Sequence, residues 1–202
     1  MTRGAHLALA LGLAVATFTG CATSPTPKFY TLEAPVQPAG NADFSVIVAA
    51  VTVPDIVDRP QLVLRIAANE VMLSEQARWA ESLKSLIPRV LAANLALSLG
   101  DAYVSAYPQA IGSEADYLVV VDIQRFESVP GEAATVEAQW EVRMTQGKSA
   151  SQRNGRSIVR EPVQGSDVDA LVAAHGRALA QISRDIAEAV RTARAAQGSE
   201  RR

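Results

Sequence analysis

The stretch "TVEAQWEVRMT", residues 135 to 145, alternates strictly between apolar and polar side chains. In an extended chain Val136, Ala138, Trp140, Val142 and Met144 share one face. Glu137, Gln139, Glu141 and Arg143 share the other. A period of two does not fit a helix and reads as a strand with one buried and one wet face. Strands of that kind belong to antiparallel sheets. The segment therefore predicts a sheet covered on one side.

Its neighbours extend that sheet. Residues 116 to 127, "DYLVVVDIQRFE", are apolar on both faces at first and alternate later. Asp122 interrupts that run, facing water or pairing with Arg125. "QGKSASQRNG" reads as a turn and "RSIVREPVQ" as a further strand, so three strands follow in a meander. The region from Lys148 to Arg160 carries Lys148, Arg153, Arg156 and Arg160 and reads as a basic, solvated turn. Upstream, "FYTLEAP" is a short strand bounded by Pro35, and residues 35 to 43 are a loop. "FSVIVAAVTVP", residues 44 to 54, is an interior strand ended by Pro54. After the loop "DIVDRPQ", "LVLRI" and "EVMLS" form a hairpin around "AAN". "YVSA", residues 103 to 106, is another short strand.

Two segments have helical spacing. Over residues 75 to 99, Trp79, Leu83, Ile87, Val90, Asn94 and Leu97 recur at three- and four-residue steps, with Ser74 as N-cap and Gly100 as stop. Pro88 predicts a kink or break near Ile87, because proline removes a helical hydrogen bond. Over residues 167 to 194, Leu171, Leu179, Ile182, Ile186 and Val190 line one face and Asp167 caps the start. The order β-β-β-β-α-β-β-β-β-α predicts an α+β fold, a mainly antiparallel sheet with two helices packed on one face. The other face needs water, a cover or a partner.

The N-terminus narrows the compartment. Arg3 precedes a 12-residue apolar run, Leu7 to Phe18. That is short of the roughly 20 residues a spanning helix needs and within the roughly 7–15 of an export signal. Cys21 is the only cysteine, so it cannot close an internal disulfide. A catalytic thiolate would need an activating base, and the one histidine beyond the signal, His175, lies on a predicted helix face. "FTGC" resembles the lipobox of bacterial lipoproteins, with cleavage between Gly20 and Cys21 and fatty acyl chains, palmitate among them, on Cys21. Two or more chains anchor stably where one does not. The expected organisation is a signal peptide at 1–20, an acylated tether at 21–28, a folded domain at 29–194 and a flexible tail at 195–202. By resemblance to enterobacterial lipoproteins, Ala22 in place of Asp directs the anchor to the outer membrane, facing the periplasm.

Candidate chemistry is sparse. A net charge of −2 argues against nucleic acid as a partner. There is no HExxH, CxxC, GxSxG or P-loop, so neither catalysis, a metal nor a cofactor is expected. Asp55 and Asp58 are close in sequence and suit a turn. His175 sits on the apolar stripe and reads as a structural residue.

"FYTLEAP", "VIVAAVTVPDIVDRPQLVLR" and "QARWAESLKSLIPRVLAANLA", in that order after the lipobox, resemble the ABC-transport auxiliary lipoproteins, the paraquat-inducible protein C group. The resemblance implies a lipoprotein that docks to an MCE-domain protein of an ABC lipid transport system between the two membranes. It would act singly or as a homo-oligomeric ring and support envelope integrity. An alternative is a periplasmic lipid-binding module that carries the substrate itself. The family brings no catalytic residues. Only Cys21 carries over with a defined role, while Asp55, Asp58, Arg59 and Trp79 stand at family-typical positions as candidate partner contacts.

Overall fold

A computed structural model describes residues 26–36, 43–100, 102–107, 115–145 and 152–200. The signal, Gly20, Cys21, Lys148, most of the tether and most of the loop expected at 35–43 lie outside the described residues. The elements are β1 (Lys28–Tyr30), β2 (Phe44–Val48), β3 (Gln61–Ala67), β4 (Glu70–Trp79), α1 (Leu83–Leu99), β5 (Ala102–Ala106), β6 (Tyr117–Val129), β7 (Ala133–Met144), β8 (Gln152–Pro162) and α2 (Val168–Glu200). Their order along the chain is the expected one.

The sheet is mixed, which corrects the mainly antiparallel expectation. Strand β6 is its spine. On one side β7 pairs antiparallel along its whole length and β8 follows antiparallel, giving the meander. On the other side two parallel strands share the edge of β6: β2 at its start (Val46↔Tyr117) and β3 at its end (Leu64↔Ser128). β5 extends β2 in parallel, β4 extends β3 antiparallel, and β1 lies parallel to β4. Parallel neighbours need crossover connections; α1 supplies one of them, and the irregular stretch from 49 to 60 joins β2 to β3. That stretch shortens the strand expected over 44–54. β2 ends at Val48; the Ala49 N–H still donates to the Val119 carbonyl at 2.8 Å, and the chain rejoins β6 at Thr52, whose N–H donates to the Val121 carbonyl at 3.3 Å and whose carbonyl accepts the Ile123 N–H at 2.9 Å.

Both helices cover one face, α1 against β2 and β5, α2 against β7 and β8, and each against the other. A single core results, with Val46, Leu62, Ile87, Leu91, Val119, Val136, Ile182 and Ile186 fully buried. Helix α2 starts as expected, with the Asp167 carboxylate accepting the Ala170 N–H at 2.8 Å. It continues to Glu200, into the stretch expected as a tail.

Helix α1 begins later than its periodicity suggested. Residues 75–79 belong to β4, paired to β3 on one side and β1 on the other. Ser74 does accept a local N–H, from Ala77 at 3.1 Å, as an N-cap would. The turn it makes is a bulge in the ladder, where the register jumps between Gln61↔Arg78 and Leu62↔Ser74. The helix starts after Ser82, whose carbonyl takes the Ser85 and Leu86 N–H groups. It runs unbroken through Pro88, so of the kink or break expected near Ile87 there is no break. A helical proline costs about 3 kcal/mol; Pro88 is buried beside Leu86, Ile87 and Val90, whose packing offsets it. Gly100 ends the helix at φ 73, donating to the Ala96 carbonyl.

The face away from the helices is charged rather than simply wet. Glu137, expected outside, is buried, as is Thr135 two residues before it. Glu137 lies between Arg125 on β6 and Arg156 on β8 and pairs with both. Arg153, Arg156 and Arg160 are therefore strand residues of β8 and not a basic turn. Asp122 pairs with Thr52 and Gln124, not Arg125.

Candidate functional site

The "VPDIVDRP" loop packs on the start of α1. Its backbone folds back where the Val57 N–H donates to the Pro54 carbonyl at 3.0 Å and the Arg59 N–H to Val57 at 2.9 Å. Val57 is buried under it. Asp58 reaches Lys84, in the first turn of α1, at 2.6 Å. A lysine at a helix N-terminus opposes the helix dipole, and the carboxylate from the loop relieves that. The hydrogen bond that the Lys84 ammonium donates to Asp58, then the charges of Asp58 and Asp55, hold its pKa above the ordinary value. Asp55 is exposed, while Asp58 and Arg59 are half-buried. The second Asp58 oxygen and the Arg59 Nε have no hydrogen-bond partner among the described residues.

Trp79 stands apart from these three. It is 5% exposed, so its ring is core and not surface. It meets Phe126 edge-on at 6.1 Å, and Phe126 stacks on His175 with centroids 3.9 Å apart and planes 6° from parallel. His175 is fully buried; its Nε2 lies 2.8 Å from Ser128 Oγ and its Nδ1 has no hydrogen-bond partner among the described residues. Burial pushes its pKa down to about 3, so the ring is neutral. The arrangement suits packing: no carboxylate contacts the ring, and no group of three or more His, Cys, Asp or Glu side chains among the described residues could hold a metal.

The described residues also form several concave surfaces. An open groove of about 780 Å³ runs between α1, α2 and the segment after β1. Its walls mix Leu97 and Val172 with Glu33, Asn94, Asp169 and Arg177. A smaller cavity of about 180 Å³ lies between the loop, the β3–β4 hairpin and β6, its walls mixing Ile56, Val63 and Val71 with Arg65, Arg125 and Glu127. Beside it the free end of that hairpin exposes Ile66 (51%), Val71 (37%), Met72 (46%) and Leu73 (39%). These residues lie on the hairpin predicted from the sequence, and their exposure was not expected. The signal was there: "VML" puts three consecutive apolar residues, hence both faces of a strand, beside the turn of a hairpin. Lys84 as partner of Asp58 was also missed, because the pair joins a loop to another element. Among the described residues no helix is long and apolar enough to cross a membrane.

Solved structures share this fold. A crystal structure of an uncharacterized protein matches with a TM-score of 0.65 and 20% identity, covering 82% of this chain and 99% of its own. Protein XCC0632 from Xanthomonas campestris, assigned to DUF330, matches with a TM-score of 0.59 and 23% identity, covering 79% of this chain and 92% of its own. At these identities the likeness concerns the fold alone. No curated protein matches the sequence. The profile described as "ABC-type transport auxiliary lipoprotein component" matches residues 30–187, from the end of β1 well into α2. The chain belongs to the family of ABC-type transport auxiliary lipoprotein components.

Proposed function

We propose that this chain is an outer-membrane-anchored periplasmic lipoprotein that docks to the MCE-domain protein of an ABC lipid transport system, without catalysing a reaction itself. The observation that carries the reading is the family match over residues 30–187, preceded in the same chain by the lipobox-like "FTGC". The family is one of auxiliary transport components rather than enzymes. In this reading a peptidase cleaves after Gly20, acyl chains on Cys21 hold the protein, and Ala22 sends it to the outer membrane. The domain acts by contact, singly or as a ring of copies. Asp55 and the half-buried Asp58 and Arg59 offer polar atoms to a partner at the rim of the "VPDIVDRP" loop.

Carrying a lipid inside this domain is less well supported. Ligand pockets for apolar molecules are mostly apolar and enclosing. The larger groove is open and carries six polar or charged side chains, Thr31, Glu33, Asn94, Gln164, Asp169 and Arg177.

Crosslinking in intact cells, followed by identification of the captured protein, tests the docking. An MCE-domain protein should be recovered, and less of it from Asp58→Ala, Arg59→Ala cells. Recovery of soluble periplasmic enzymes in its place would defeat the reading. Cys21→Ser should release the domain from the outer-membrane fraction while leaving it folded.

A further inference from the structure

The free end of the β3–β4 hairpin exposes apolar side chains on both of its faces; on one of them the "VPDIVDRP" loop reaches Val63 and part of Val71 across the small cavity and leaves the tip open. Cross-strand pairing puts Val63 with Leu73 and Arg65 with Val71 on the face away from the helices. Leu64 pairs with Met72 on the opposite face. Leu64 is buried, but Met72 and Ile66 lie past the core and are about half exposed. β3 meets the end of β6 at Leu64↔Ser128, and β6 stops one residue later, at Val129. The hairpin end therefore projects beyond the sheet. An apolar knob open on both sides suits a medium that can surround it rather than a flat surface laid on one side.

The direction of the chain supplies the second observation. β1 runs parallel to β4, with Lys28 beside Ala77 and Tyr30 beside Trp79. β4 starts at the hairpin end and runs away from it. Followed backwards, β1 thus points toward the hairpin end. From Ala77 back to Met72 is five residues, about 16 Å of strand at roughly 3.3 Å per residue. The seven residues from Lys28 back to Cys21 can span at most about 25 Å. An anchor at Cys21 therefore lies within reach of the hairpin end.

We propose that the end of the β3–β4 hairpin is a second membrane contact, seating Ile66, Val71, Met72 and Leu73 in the interface of the bilayer that holds Cys21. The proposal rests on the reading of Cys21 as the acylated residue. The contact is apolar rather than electrostatic. Arg65 is committed to Glu127 and to the Ala68 carbonyl, and the turn carries Glu70 and no lysine. It therefore needs no anionic lipid and resists salt. Alone it is weak; the tether makes it an intramolecular event and raises its local concentration. Together the two attachments fix which end of the domain faces the bilayer.

The test uses the acylated full-length lipoprotein in phosphatidylcholine vesicles, with an environment-sensitive fluorophore on Met72→Cys. Acylation blocks Cys21, so the new thiol is the only one free. The label should shift to the blue and be quenched several-fold more by lipid-borne than by aqueous quenchers, unchanged between low and high salt. The same label on Tyr103→Cys, on β5, should report water. A Met72→Cys label that stays in water would overturn the proposal. So would a blue shift without vesicles that grows with protein concentration, which would mean burial against a second copy. Mass measurement of the native N-terminal peptide reads the acylation separately. Should Cys21 prove unmodified, residues 22–202, which keep every described buried residue, can be held to nickel-chelating lipid by an N-terminal His-tag. The Met72→Cys label must then still enter the bilayer.

Discussion

His175 was recognisable as a core residue because it falls between Leu171 and Leu179 on the apolar stripe of α2. Its partners, Ser128 and Phe126, were not, since nothing local links a helix to a strand 47 residues away. In the tautomer whose Nε2 donates to the Ser128 hydroxyl, Nδ1 is a lone pair rather than an orphaned donor, the cheaper way to leave a ring nitrogen. Protonation would place a charge there with no counter-ion. The folded pKa of about 3 lies below the ordinary 6.5, so the unfolded chain binds the proton first. Stability is then full above pH 6.5 and falls as the pH drops toward 3. The difference at pH 5 is on the order of 2 kcal/mol. Urea unfolding between pH 7 and 4 should show that slope, and His175→Gln should remove most of it. A slope unchanged in the variant would assign it to other groups. A second residue-scale constraint is Gly155, paired with Trp140 across β7 and β8. A Cβ there would stand 2.2 Å from the Trp140 ring. The indole cannot swing away freely, because its N–H donates to Ser157 at 3.0 Å and Ser157 donates to Asp185 on α2. Gly155→Ala should therefore lower stability by roughly 2–3 kcal/mol, as overpacked sites do, measured by thermal or urea melts. A neutral substitution would mean that the ring has room to turn.

At the scale of elements, β7 shows what a pattern can and cannot say. Its alternation located the strand to within two residues and assigned the helix-facing side. What covers the other side is not in the pattern. Glu137 is buried only because the neighbouring strands put Arg125 and Arg156 against it. Those arginines come from β6 and β8, and only the register brings all three together. Glu137→Gln keeps the shape and leaves two guanidinium groups facing each other. Both are more than half exposed, so water and salt screen them. The expected loss is about 1 kcal/mol, larger at low salt, and Arg125→Ala on top of it should recover part of the loss. A double-mutant cycle in urea checks this; strict additivity would show that the three charges do not interact. The late start of α1 has a comparable cause. "SEQARWAES" has helical spacing and a good cap, and the cap hydrogen bond does form. Pairing to β1 and β3 satisfies more backbone than the helix would there, so tertiary context overrides local preference.

For the whole molecule, element order was legible and sheet topology was not. Antiparallel hairpins follow from short connections, but whether β2 and β3 both return to β6 in parallel depends on crossovers that carry no local mark. The outcome has a mechanical consequence. The arm made of β1, β4 and β3 joins the rest of the sheet through one registered pair, Leu64↔Ser128. So short a ladder cannot alone make the arm fold with the remainder. The stack from Trp79 through Phe126 to His175 joins the arm, the spine and α2 inside a core that also runs continuously through α1. The two tryptophans report on opposite sides of that joint, Trp79 on the arm and Trp140 on the meander. In Trp140→Phe only the arm is seen, and in Trp79→Phe only the meander. The continuous core predicts that both fluorescence transitions coincide with loss of far-ultraviolet circular dichroism in urea at pH 7. Phe126→Ala removes the middle of the stack. It should cost roughly 3–5 kcal/mol, as buried phenylalanine truncations do, and draw the Trp79 transition to lower urea than the Trp140 one. If the two still coincide in that variant, helix packing rather than the aromatic stack carries the cooperativity between arm and meander.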